Sequence, residues 1–217
     1  MPFLRTNLSQ RVASAAVLAP VAIAAVIFGG WGLVALVALA FALMLWEWQR
    51  MCARSPLWLA FGLVYLLVPS LALIWLRFLP ESGLWHIVWL LGVAWTADIG
   101  AYITGRTIGG PKLAPRISPN KTQSGALGGL LAAMLFSLGL GVTLHAPLLA
   151  ITLWGGALGA LSIFGDLVES GFKRHFDVKD SSALIPGHGG VLDRLDSLLL
   201  TAPLLALLAL LGLSPLL

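Results

Sequence analysis

The sequence predicts an all-α polytopic membrane protein, a helix bundle of about seven transmembrane helices with a cytoplasmic N-terminus. Three observations carry this expectation. Of 217 residues, 59% are hydrophobic and 10% charged, a balance that soluble domains do not show. Apolar runs recur along the whole chain at close to the ~20 residues a helix needs to cross hydrocarbon. With one exception, the basic residues fall in alternate connections between those runs.

In order, the runs are Val12 to Phe28, Trp31 to Trp46, Leu57 to Trp75, Leu84 to Thr104, Gly125 to Leu144, Leu148 to Phe164 and Leu198 to Leu213. The first has the look of a signal peptide, but no hydrophilic mature domain follows it, so it reads as an anchor. Pro20 and Pro69 fall inside runs and predict kinks, tolerable where neighbouring helices satisfy the freed carbonyls. Glu47, between Trp46 and Trp48, reads as an interfacial residue. Gly155, Gly156, Ala157, Gly159 and Ala160 give the sixth run a small-residue face suited to close helix packing.

Placing the N-terminus inside puts Arg5, Arg11, Arg50, Arg54, Arg106, Lys112, Arg116, Lys121, Lys173, Arg174, Lys179 and Arg194 on the inner side and leaves only Arg77 outside. Positively charged loops stay in the cytoplasm, so the two long polar loops, 105–123 and 165–196, face it. The net charge of +4 then points to anionic headgroups or phosphorylated substrates. No aromatic-basic motif for nucleic acid is present. The lone Cys52 excludes a disulfide framework and a cysteine metal site.

The polar stretch from Ser162 to Ser197 holds six of the nine carboxylates: Asp166, Glu169, Asp177, Asp180, Asp193 and Asp196. Ser162, Asp166, Glu169, Ser170 and Lys173 are spaced by threes and fours, which predicts one face of a helix continuing from the sixth run. Asp193 and Asp196 repeat the relation before the seventh. Carboxylates without thiols or clustered histidines suit a hard cation such as Mg²⁺, with Asp166 and Asp193 as leading ligands. The plain alternative is a solvated loop in which these acids pair with Lys173, Arg174, Lys179 and Arg194. Gly187, Gly189 and Gly190 favour a site, because glycines let backbone amides approach phosphate oxygens. His188 either donates to phosphate or stabilises the turn.

The other inner loop, Gly105 to Gly129, carries Arg106, Lys112, Arg116 and Lys121 and no acid. It reads as an anion-binding surface, a positive-inside determinant, or both. Ser124 is the expected N-cap of the fifth helix. The loop lacks the pattern of a P-loop. Asp98 stands alone in an apolar run, where a carboxylate should face a polar cavity and not lipid.

One run of residues is more specific than any of these features. Ser170, Phe172, Lys173, Arg174, Lys179, Asp180, Ser182, Ile185, Pro186, His188, Gly189, Gly190, Val191, Asp193, Arg194, Leu195 and Asp196 resemble, at fixed spacing, the signature of the phosphatidate cytidylyltransferases, the CDP-diacylglycerol synthases. The segments DIGAYITGR and SPNKTQSGALGG resemble that family's in the same order. The resemblance covers the chain from about Trp95 onward, whereas family members commonly carry one or two further N-terminal spans.

The resemblance implies an enzyme that joins CTP and phosphatidic acid into CDP-diacylglycerol and pyrophosphate, in a bacterial inner membrane with its site facing the cytoplasm. It divides the chain into N-terminal helices, 1–94, and a catalytic membrane part, 95–217. Mg²⁺ falls to Asp166 and Asp193, with Asp196 and Asp98 as supporting or second-cation ligands. Lys173, Arg174, Lys179, Arg194 and His188 are expected to neutralise phosphates, and Asp180 belongs to the same catalytic set. Ser118, Asn120, Lys121 and Thr122 are the candidates for CTP. Membrane lipids are further partners, a homodimer is an option, and nucleic acid is not expected. A CTP-dependent lipid kinase and a membrane transporter are the alternative classes.

Overall fold

The computed structural model describes residues 2–53 and 55–217, with side chains from Ala13 onward except those of Ala15 and Arg54. Of the cations counted as inner, Arg5, Arg11 and Arg54 lie outside the described side chains. The helices are α1 (Pro2–Phe28), α2 (Gly30–Met51), α3 (Pro56–Arg77), α4 (Gly83–Thr107), α5 (Gln123–Leu144), α6 (Leu148–His175), the single turn α7 (Leu192–Leu195) and α8 (Leu198–Leu210). Among the described residues five of them, α2 to α6, are long and apolar enough to cross a membrane. Shorter apolar stretches, Ala16–Phe28 and Leu198–Leu210, lie in α1 and α8.

The residues that carry and flank both short stretches make contacts at the two ends of the bundle. Ser14 on α1 meets His188 Nδ1 at 2.9 Å at one end. At the opposite end the Arg77 guanidinium donates to the carbonyls of Val26 and Ile27 at 2.7 and 2.9 Å, satisfying acceptors that a helix C-terminus leaves open. Likewise α8 begins beside Asp196 and is followed by Ser214, whose hydroxyl lies 2.8 Å from His86 Nε2.

Between apolar helices, contact is decided by small residues that let backbones close in. A Cβ built at Gly100 of α4 would lie 2.6 Å from Ala132 Cβ and 2.7 Å from the Gly128 carbonyl on α5. The small-residue face expected on the sixth run packs the same way, since a Cβ at Gly159 would lie 2.6 Å from Ala133 Cβ. Leu76, Trp89, Leu90, Val93, Ile151, Leu158 and Leu205 fill the core around these contacts. At the polar end, Trp48 of α2 donates from Nε1 to the Trp58 carbonyl at 2.7 Å and packs edge-on against Phe172 of α6, with ring centroids 5.2 Å apart.

The bundle is not purely helical. The basic loop folds as an antiparallel hairpin, β1 (Lys112–Ala114) and β2 (Ser118–Thr122), pairing Lys112 with Thr122 and Ala114 with Ser118. Pro115 and Pro119 hold Ala114 and Ser118 before them extended, the three prolines Pro111, Pro115 and Pro119 together forbid a helix, and a proline is tolerated in so short an edge strand. The cap of α5 also differs from expectation. Thr122 accepts from the Gly125 amide at 3.1 Å, while the Ser124 hydroxyl donates to the Gly109 carbonyl. The first bond joins the end of β2 to the start of α5, and the second joins that start to the turn after α4.

Candidate active site

At 28 residues, α6 is about 42 Å long at 1.5 Å per residue, so its last turns leave the apolar layer carrying their charges. Ser162, Glu169 and Lys173 are buried on one face, with Asp166 and Ser170 beside them. Lys173 Nζ sits 2.5 Å from Glu169 Oε2 on its own helix and 2.7 Å from Asp193 Oδ1 on α7. Asp193 in turn accepts at Oδ2 from the amides of Ser181 and Gly190, at 3.0 and 2.8 Å, and from the Ser181 hydroxyl at 2.9 Å. Burial works to raise its pKa. The hydrogen bond from Lys173 and the two amides outweigh burial and hold the carboxyl below its ordinary range.

The hairpin closes the arrangement from the other side. Lys121 Nζ lies 2.5 Å from Asp166 Oδ2, so the loop without acids meets the helix rich in them. Between them opens a cavity of about 690 Å³. Asp98, Asp166 and Asp196 line it from α4, α6 and the residue after α7, facing Lys121, Lys173 and Arg194. Burial first, then Asp166 and Glu169, raise the pKa of Asp196. Tyr102 and Arg106 stand at the wall formed by α4, and Leu113 and Ile163 give it apolar patches.

A model of the cytidylyltransferase family matches residues 55–211. The chain belongs to that family. It is 49% identical over 155 residues to a phosphatidate cytidylyltransferase of Brucella suis, an alignment covering 69% of this chain and 56% of that protein. It is 38% identical over 214 residues to one of Rickettsia bellii, covering 93% and 90%. Against one of Staphylococcus epidermidis the identity is 48% over 130 residues, covering 59% and 50%. The chain thus spans about half the length of the Brucella and Staphylococcus relatives.

The cavity wall takes in Asp98, Asn120, Lys121, Thr122, Asp166 and Lys173, and from the 180s and 190s Asp180, Asp193, Arg194 and Asp196. Four sequence candidates stand elsewhere. Arg174 donates to the carbonyls of Ile117 and Val178 at 3.3 and 3.1 Å, joining the hairpin to the end of α6. His188 is turned toward Ser14. Lys179 is exposed, and Ser118 starts β2; neither belongs to the wall.

Two participants were not foreseen. Glu47 is not interfacial. It is fully buried, and its carboxylate accepts from the Ser182 hydroxyl and the Val191 amide at 2.6 and 2.9 Å through Oε1, and from the Leu192 amide at 2.8 Å through Oε2. Ser181 is the other, its hydroxyl lying between Asp193 and Glu47. A signal for Glu47 existed: it shares a helix face with Met44, Trp48 and Met51, at offsets of three, one and four, and all four are buried.

The donor set bears on the cation that the family resemblance implies. Among the described residues no three of His, Cys, Asp and Glu converge into a metal cage. Mg²⁺ needs none, because it is commonly held by one or two carboxylates with phosphate oxygens completing its shell. Asp166, Asp196 and Asp98 fit that requirement, all facing one cavity. Asp193 fits it poorly: its two oxygens already take four donors.

Proposed function

We propose that this chain transfers the cytidylyl group of CTP to phosphatidic acid, releasing pyrophosphate and leaving CDP-diacylglycerol in the membrane. The observation that carries the reading is the cavity at the polar end of the bundle, where Lys121, Lys173 and Arg194 face Asp98, Asp166 and Asp196. Such a wall suits two phosphate-bearing substrates and a hard cation at once. The relatives, phosphatidate cytidylyltransferases by name, support the same reaction.

A lipid phosphate is already anionic at neutral pH and needs no strong general base to attack the α-phosphorus of CTP. Catalysis then rests on alignment and on charge neutralisation where water is excluded. Lys121, with Asn120 and Thr122 beside it, orients the triphosphate from the hairpin. Lys173 and Arg194 neutralise phosphate oxygens from the opposite wall, and Asp193 holds Lys173 in place. Asp166 and Asp196, with Asp98 nearby, would hold Mg²⁺, which when bound offsets the charge of the triphosphate. Asp98 and Asp196 are also the carboxylates available to a second cation.

The reading includes a topology of seven spans, with the N-terminus and the cavity in the cytoplasm of a bacterial inner membrane. Support comes from α1 and α8, which reach both ends of the bundle, and from charge. Arg106, Lys112, Arg116, Lys121, Lys173, Arg174, Lys179 and Arg194 gather at the cavity end, while Arg77 sits at the other. An impermeant thiol reagent applied outside intact cells should leave cysteines placed at 113 or 184 unlabelled in a Cys52→Ser background. Labelling of either position from outside would end this topology.

The reaction itself is tested by incubating purified protein with CTP, Mg²⁺ and phosphatidic acid and identifying both products. Pyrophosphate and CDP-diacylglycerol are expected. Release of CDP would identify a CTP-dependent lipid kinase, and substrate flux across sealed vesicles without either product a transporter.

A further inference from the structure

Glu47 lies in the last turn of α2, before the family-matched segment begins at residue 55. It does not line the cavity. A fully buried carboxylate needs compensation, yet among the described residues no Lys or Arg pairs with it. Instead it gathers donors from one loop: the Ser182 hydroxyl, the Val191 and Leu192 amides, and the Ser181 hydroxyl at 3.3 Å. Gly190 passes so close that a Cβ there would lie 2.5 Å from Glu47 Oε1 and collide with Ser181 Oγ. The loop is therefore moulded onto this carboxylate.

That loop carries Asp180 at its start and Asp193, Arg194 and Asp196 just beyond its end, all in the cavity wall. The Ser181 hydroxyl and the Gly190 amide also serve Asp193, which grips Lys173. The two carboxylates thus clamp the loop from opposite sides, one from α2 and one from α7.

We infer that Glu47 is a positioning residue: it anchors the 181–192 loop to α2 and thereby sets Asp193, Lys173 and Arg194 at the cavity. The inference rests on the cytidylyltransferase reading for its kinetic consequence and on geometry alone for its structural one. Glu47→Gln keeps the shape but turns one acceptor into an NH₂ group, which must then face backbone N–H donors that need an acceptor. Expected in this variant is hydrogen exchange at least about tenfold faster across 181–192, with α4 and α5 peptides unchanged. With it kcat should fall at least about tenfold, while KM for CTP and for phosphatidic acid stays within about threefold.

Ser182→Ala removes one donor and should move exchange and kcat the same way by a smaller amount; it decides the matter if Glu47→Gln does not fold. Unchanged exchange across 181–192 in the variant that folds would overturn the clamp. Faster exchange with kcat unchanged per folded molecule would overturn the positioning role. If the wild type gives no CDP-diacylglycerol, the functional reading fails while the exchange result still judges the clamp.

Discussion

Asp166→Asn should lower kcat at least about a hundredfold and demand more Mg²⁺, since losing a ligand that stabilises phosphoryl charge costs several kcal/mol of transition-state stabilisation. The substitution keeps the shape of the side chain and its contact with Ser170, and removes the charge that faces Lys121. Asp177→Asn is the control. Asp177 is exposed and left-handed, with φ of 54°, a conformation that Asn adopts readily, so its kcat should stay near wild type. Asp193→Asn should also lower kcat, but through a loosened Lys173 and loop, leaving the Mg²⁺ dependence unchanged. The measurement is kcat across a Mg²⁺ titration for the three variants, with folding followed by size-exclusion profile. Equal losses in Asp177→Asn and Asp166→Asn, or a shifted Mg²⁺ requirement only in Asp193→Asn, would move the cation elsewhere.

Lys173→Met should destabilise the folded protein by about 3–5 kcal/mol, the usual cost of removing one partner from a buried charge cluster. Lys173 is the only ion-pair partner of both Glu169 and Asp193 among the described residues. Glu169 is fully buried and its carboxylate meets only the Lys173 ammonium among the described residues, so without that ammonium it has nothing to offset burial. Adding Glu169→Gln to Lys173→Met should recover part of the loss, as expected for coupled neighbours. Unfolding in detergent measures both. A loss below about 1 kcal/mol, typical of a solvated pair, would show that the cluster is not held in the way its distances indicate.

The two halves of the site differed in how legible they were. The face carrying Asp166, Glu169, Ser170 and Lys173 was readable because helical period fixes which residues align, and it emerged on the extension of α6 as spaced. The hairpin was not: three prolines in nine positions exclude a helix, but its register depends on pairing that no local signal encodes. Nor was the ion pair between Lys121 and Asp166 readable, because the partners are 45 positions apart on elements that meet only once α4, α5 and α6 have packed.

By itself, the sequence determined the membrane character, the helical runs, the charge asymmetry between the two ends and the resemblance to a family. Each of these depends on composition, period or fixed spacing within one segment. Only the tertiary structure decided which apolar faces meet protein and which meet lipid, because both are apolar and nothing local distinguishes them. Glu47 shows the consequence. In sequence it is a carboxylate between two tryptophans at a helix end, suited to an interface. Its actual placement is decided by α2 packing against the 181–192 loop, where four donors from 134 to 145 positions away converge on one buried carboxylate.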